Sequence, residues 1–205
     1  GGTAATFFYN LDRFSMDLDF DLLAEGEDTE KLVYAELKNI AGKYGKLKDN
    51  HIKRFTIFFL ISYGDADYNI KIEVNTRKPV QNLEAYYAPK EHLGISMLVG
   101  EKPYLFASKL AALTSRSETA MRDIYDIWFF AKQSWDIDAE VIKVRTGKSV
   151  PEHLSDCIGV IEKVMDNQIL QGLGELLGEK DKIWIKNHLR DEAIFMLKNY
   201  ISALQ

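Results

Sequence analysis

The sequence predicts an α+β fold, with a small mixed sheet in the first half and only helices in the second. Three observations carry this reading. Up to about residue 100 the runs are aromatic, β-branched and strand-like, with one or two helical stretches among them. From Pro103 onward apolar residues recur at helical spacing to the end of the chain. Pro and Gly number 4 and 13 among 205 residues, too few for a collagen-like or low-complexity chain. The chain therefore divides into a lobe over residues 1–100 and a helical lobe over residues 101–205.

The elements follow in order. Gly1-Gly2-Thr3 opens an apolar helical run, Ala4–Tyr9. Leu18 and Phe20 alternate with Asp17, Asp19 and Asp21, the period of a strand. Leu32, Val33, Leu37, Ile40 and Ala41 give helical spacing over Thr29–Tyr44, with Asp28 and Thr29 as caps and Gly42 and Gly45 near its end. Lys43, Lys46, Lys48, Lys53 and Arg54, interrupted by Asp49, read as a solvated loop or as a phosphate-contacting edge. Arg54–Tyr63 and Tyr68–Asn75 read as strands of a hairpin turned at Gly64-Asp65, and Gly94–Val99 as a further short strand. Helices are expected near 103–115, 118–133, 138–146, 151–166 and 181–203, with Pro103 and Pro151 in first turns and a loop at Gly172, Gly174 and Gly178.

Composition excludes several function classes. A net charge of −5 argues against coating nucleic acid by bulk charge, so a polyanion site needs a local basic patch or metal ions. The single cysteine, Cys157, excludes an internal disulfide and a multi-cysteine zinc site, and it suits a reducing cytoplasm. The longest apolar runs, near Phe55–Ile61 and Ile127–Ala131, fall short of the roughly 18 residues that span a bilayer, so no membrane partner is expected. His51, His92, His153 and His188 lack metal-ligand spacing. The chain begins without Met, which is expected of a lost Met, a tag scar or a start inside a longer gene.

Carboxylates are the most informative residues. On a strand, Asp17 and Asp19 point to one side about 7 Å apart, and such a pair repels unless a cation sits between. Hard divalent cations take one or two carboxylates together with substrate phosphates. The same pair also reads as the solvated face of an edge strand. Glu73 shares a strand face with Lys71 and adds a third carboxylate if the two strands are neighbours; otherwise it belongs to an ordinary half-buried strand. Glycines at a helix start expose backbone N–H groups to an anion, although Gly1-Gly2-Thr3 also reads as a simple turn. Lys109 lies among Leu105, Phe106 and Leu113, and Asp126 beside Phe129 and Phe130. A charge on an apolar face needs a partner, so these two are expected to meet, as functional groups or as a structural ion pair between helices.

Five blocks in order, Gly-Gly-Thr-Ala (1–4), Arg-Phe-Ser-Met-Asp-Leu-Asp-Phe (13–20), Lys-Ile-Glu-Val (71–74), Lys-Leu-Ala-Ala-Leu (109–113) and Arg-Asp-Ile-Tyr-Asp (122–126), resemble the AbiEii/AbiGii family of nucleotidyltransferase toxins. That family belongs to the polymerase-β-like nucleotidyltransferase superfamily. The resemblance runs from residue 1 to about 130; beyond 135 the match is only helical character. It implies a polymerase-β-like catalytic lobe in which Gly1 and Gly2, with Thr3, open the phosphate-contacting helix. It implies that Asp17 and Asp19 bind Mg²⁺ or Mn²⁺, with Glu73 as third carboxylate. Lys109 would contact the nucleoside triphosphate and Asp126 support the site, while Arg13 and Ser15 match the nucleotide-binding block without separate roles. Family members usually carry some tens of residues before the Gly-Gly-Thr motif.

The implied reaction moves a nucleoside monophosphate from an NTP to an acceptor hydroxyl, on a tRNA end, a protein or a small molecule. A cognate antitoxin is the implied protein partner. Two other readings remain at this stage: a catalytically silent interaction protein on the same fold, and a metal-dependent phosphohydrolase that releases inorganic phosphate instead of pyrophosphate.

Overall fold

Alternation in the first half builds a mixed four-stranded sheet. The computed structural model describes residues 1–24, 26–63, 68–77 and 80–204, so the Gly64-Asp65 turn lies outside the described residues. The chain separates into two compact units: Gly1–Phe7 with Ser15–Lys78, and Phe8–Phe14 with Pro79–Gln205. The division therefore falls near residue 78 rather than at 100, and a short early segment joins the second unit.

In the first unit the strands are β1 (Asp17–Asp21), β2 (Lys46–Lys53), β3 (Thr56–Tyr63) and β4 (Tyr68–Asn75), in the order β1-β4-β3-β2. β1 runs parallel to β4, and the other pairs are antiparallel. Helices α1 (Gly2–Tyr9) and α2 (Glu27–Tyr44) flank β1 in sequence. Ile57, Phe59, Ile61, Ile72 and Val74 bury one sheet face against Ala41, with Val33, Tyr34, Leu37 and Leu18 packed around them. Burying each of the large side chains contributes about 1.5–3 kcal/mol.

Several expectations change here. α2 starts at Glu27 after Gly26, so Asp28 and Thr29 sit inside its first turn and do not cap it. Its inward stripe is Val33, Tyr34, Leu37 and Ala41, while Leu32 and Ile40 face solvent. α2 packs over β3 and β2, so Phe20 on the edge strand β1 stays 51% exposed despite its alternation. Lys46, Lys48 and Lys53 of the basic stretch lie on strand β2, not in a loop, while Lys43 lies in the last turn of α2 and Arg54 sits in the turn between β2 and β3. A bulge between Leu47 and Asp49 shifts the register, so the period-two signal breaks. Gly45 precedes it where any Cβ would strike the Ser62 carbonyl at 2.2 Å, a close approach that only glycine permits.

The second unit holds a hairpin, β5 (Tyr87–His92) and β6 (Ile95–Gly100), and helices α3 (Lys102–Ser115), α4 (Met121–Lys132), α5 (Ala139–Thr146), α6 (Val150–Ile161) and α7 (Glu179–Ala203). β5 escaped the sequence reading because Pro89 and its charged residues mask it; proline is tolerated on an edge strand. α4 begins at Met121 rather than 118, after the extended Ala120. α6 ends at Ile161 rather than 166, where the Val164 N–H turns back to the Ile161 carbonyl. Ser149 and Glu152 form a capping box at its start, with Pro151 in the first turn. α3, α4, α6 and α7 bury Phe106, Leu110, Ile127, Phe130, Leu154 and Leu189 among them. The early segment is tied in by hydrogen bonds from Tyr9 Oη to the Gly100 carbonyl (2.9 Å) and from Tyr125 Oη to the Asp12 carbonyl (2.8 Å). Among the described residues, no helix is long and apolar enough to cross a membrane.

Candidate functional site

One face of the first unit's sheet is apolar and covered; the other carries the carboxylates. Because β1 and β4 are parallel neighbours, Asp17 lies opposite Lys71, Asp19 opposite Glu73 and Asp21 opposite Asn75. Residues paired this way share a face. Glu73 is thereby placed beside the aspartate pair, on the adjacent strand that its reading as a third carboxylate required.

The start of α1 borders this face. The Thr3 hydroxyl donates to the Asp17 carbonyl and hydrogen-bonds with Ser15 Oγ at 2.9 Å, which pins the helix start to the entry of β1. Thr3 and Ser15 are thus engaged with each other. A Cβ on Gly1 would stand 2.4 Å from Asp19 Oδ2, so the Asp19 carboxylate lies directly against the glycine backbone. Gly1, Asp19, Phe20, Asp21, Thr56, Glu73 and Asn75 line a cleft of about 210 Å³. Asn75 Nδ2 donates to Asp21 Oδ1 at 2.8 Å and fixes one wall.

Lys71 completes the set. Its ammonium is 3.2 Å from Asp17 Oδ2 and 3.1 Å from Glu73 Oε2. Partial burial pulls its pKa down, but Glu73 and Asp17 outweigh that and raise it above the ordinary lysine value. Among the described residues, no three His, Cys, Asp or Glu side chains converge as a metal cage. The donors are all carboxylate oxygens on one strand face, with Asp17 partly exposed and Asp19 exposed. Such a set fits a hard cation that keeps one or two protein ligands and completes its shell from phosphate oxygens and water.

A second charge cluster sits inside the second unit. Asp126 is 0% exposed. Arg13 grips it from both sides, Nε to Oδ1 at 2.6 Å and Nη2 to Oδ2 at 2.8 Å, and also donates from Nη1 to the Phe14 carbonyl. Lys109 Nζ reaches Asp126 Oδ2 at 3.0 Å and Asp123 Oδ1 at 2.9 Å; Arg116 Nε lies 3.0 Å from Asp123 Oδ2. Burial works against both charged forms. The Lys109 and Arg13 cations nonetheless hold the Asp126 carboxyl below its ordinary pKa, and the two aspartates raise that of Lys109. Lys109 and Asp126 are therefore brought together as their apolar neighbours required. Arg13, matched to a nucleotide-binding block, is buried as a partner of Asp126.

Two residues escaped selection from sequence. Asp123 stands one turn before Asp126 on a helix whose other inward positions are apolar, and that i, i+3 repeat was its signal. Lys71 carried only its alternation with Glu73, and its partner Asp17 becomes visible only once β1 and β4 are known to pair.

A family model described as nucleotidyl transferase AbiEii toxin, type IV TA system, matches residues 1–182. Two crystal structures from Helicobacter pylori are similar in fold. One is of JHP933, with a TM-score of 0.59 and 21% identity over 98% of this chain and 82% of that one. The other is of a protein described as a candidate nucleotidyltransferase, with a TM-score of 0.57 and 20% identity over 99% of this chain and 86% of that one. No curated protein matches the chain.

Proposed function

We propose that this chain, which belongs to the AbiEii family of nucleotidyl transferase toxins of type IV toxin–antitoxin systems, moves a nucleoside monophosphate from an NTP to an acceptor hydroxyl. The observation that carries this is the placement of Asp17 and Asp19 on β1 beside Glu73 on β4, with the start of α1 against Asp19. In this reading Asp17 and Asp19 hold Mg²⁺ or Mn²⁺, which supplies positive charge for the phosphates. The backbone N–H groups of Gly1, just before α1, and of Gly2 and Thr3 in its first turn receive triphosphate oxygens, since a helix start has donors without intrahelical acceptors. Lys109 is the residue that the family resemblance ties to the triphosphate; Asp123 and Asp126 fix its ammonium. Arg13 and Asp126 act as positioning residues behind it. Ser15 positions through Thr3.

The reaction forms a bond from the acceptor oxygen to the α-phosphorus and breaks the bond from that phosphorus to the bridging oxygen of the leaving pyrophosphate. Glu73 takes the proton of the attacking hydroxyl. The acceptor is a tRNA end, a protein or a small molecule, the toxin acts in the cytoplasm, and an antitoxin restrains it.

The test is incubation with each α-labelled NTP, Mg²⁺ and total cellular RNA and protein. Pyrophosphate release, with label retained on one acceptor, is the expected result. Release of orthophosphate alone supports the phosphohydrolase reading, and no turnover with any NTP supports a silent interaction protein. A second expectation concerns Gly1. Gly1→Ala must push the Asp19 carboxylate aside, and displacing a reacting group by an ångström costs about ten- to a hundredfold in rate. Transfer should fall by that factor while the melting temperature holds; wild-type rates would show that Gly1 does not set the position of Asp19.

A further inference from the structure

We propose that Lys71 and a divalent cation exclude one another at Asp17, so that the cation enters together with the triphosphate and not ahead of it. This rests on the reading of Asp17 and Asp19 as the metal-binding pair. Lys71 is opposite Asp17 in the parallel register, and its ammonium bridges Asp17 Oδ2 and Glu73 Oε2 at 3.2 and 3.1 Å. It already supplies those two carboxylates with one positive charge. Mg²⁺ binds an oxygen at roughly 2.0–2.1 Å, so a cation on Asp17 would occupy the space next to the ammonium and repel it.

Asp17, Asp19, Glu73 and Lys71 together carry a formal charge of −2, one unit less attractive to a divalent ion than the carboxylates alone. The Lys71 side chain is 28% exposed and sits on a flexible stem, so it can leave Asp17 without opening the core. A triphosphate changes the balance twice. Its oxygens complete the shell of the cation, and its negative charge offers the displaced ammonium a new partner. Nucleotide and metal should then strengthen one another's binding, reciprocally. Lys71 keeps its bond to Glu73 through this exchange, which separates the metal pair from the proton-accepting carboxylate.

Mn²⁺ binding, followed by electron paramagnetic resonance and calorimetry, tests this without any turnover. In the absence of nucleotide, Lys71→Met should bind Mn²⁺ about ten- to a hundredfold more tightly than wild type, the worth of one charge-assisted contact. Lys71→Arg should behave as wild type. The gain in Mn²⁺ affinity on adding a non-hydrolysable NTP should shrink in Lys71→Met by the same factor. Lys71→Gln serves as the second uncharged variant should Lys71→Met not melt cooperatively. Equal or weaker Mn²⁺ binding by the uncharged variants, with nucleotide-dependent binding intact in wild type, overturns the role of Lys71 alone. No Mn²⁺ binding by any variant, with or without NTP, overturns the metal pair itself.

Discussion

Asp17→Asn and Asp19→Asn should each lower metal-dependent nucleotide transfer by about a hundred- to a thousandfold, the rate equivalent of losing several kcal/mol of charge stabilisation. Both residues hang from one strand face, Asp17 partly exposed and Asp19 exposed, and neither belongs to the apolar cluster that α2 covers. Neutralising either removes a carboxylate charge without emptying any packed volume. The partner left behind by Asp17→Asn is Lys71, which keeps Glu73 and has access to water, so the loss in stability should be within about 1 kcal/mol. The two aspartates should differ in one respect. Asp17→Asn frees part of the hold on Lys71, whereas Asp19→Asn alters the carboxylate against Gly1 and the cleft wall. Steady-state transfer, with Mn²⁺ binding and thermal melts measured on the same preparations, checks this. Wild-type rates in both variants, with folding intact, would remove the metal pair from the mechanism.

Much of the geometry of the candidate site was legible because its signals are local. The alternation of Asp17, Leu18 and Asp19 fixes which side chains share a face before any partner strand is known. The pairing of Lys109 with Asp126 was legible for a different reason: a charge with apolar neighbours on its own helix face has few ways to be satisfied. Three features were not legible, each because the deciding information is non-local. The bulge in β2 breaks its alternation and leaves only a run of lysines, which looks like solvated chain. The caps of α2 were misread because Gly26 holds the helix entry with φ +111°, where backbone conformation and not a side-chain acceptor starts the helix. The segment Phe8–Phe14 belongs to the second unit although it connects two elements of the first. Its ties are hydrogen bonds to Gly100, Tyr125 and Leu176 and the bidentate bond of Arg13 to Asp126, all far along the chain, and no periodicity within seven residues announces them. Arg13 lies in that segment. Read from the motif alone it resembles a ligand-binding residue; its bidentate grip on a fully buried carboxylate makes it first a partner of Asp126.

Asp126→Ala should be the most destabilising single change in the second unit. It leaves Arg13, 7% exposed, and Lys109 without their shared carboxylate, and breaking one side of a buried ion pair costs about 3–5 kcal/mol. All three tryptophans, Trp128, Trp135 and Trp184, lie in this unit, so tryptophan fluorescence follows its unfolding without a contribution from the first. The midpoint should fall by roughly 6–20 °C at that cost. The pH dependence has a definite sign. The folded Asp126 carboxyl is held below its ordinary value, so its contribution is present above the unfolded pKa near roughly 3.9 and is lost as pH falls through the folded value. Lys109 is raised, so its contribution is present below the unfolded pKa near roughly 10.4 and is lost as pH climbs through the folded value. Wild type should therefore lose stability towards both extremes, and Asp126→Ala should flatten the acid limb. A structural ion cluster also predicts compensation. Replacing Arg13 by Met together with Asp126→Leu removes the cation that the single change leaves without a carboxylate, while Lys109 keeps Asp123, and part of the lost midpoint should return. A single Asp126→Ala variant that melts within about 2 °C of wild type would mean that water or Asp123 satisfies Arg13 and Lys109 equally well, and the cluster would not be the anchor of this unit.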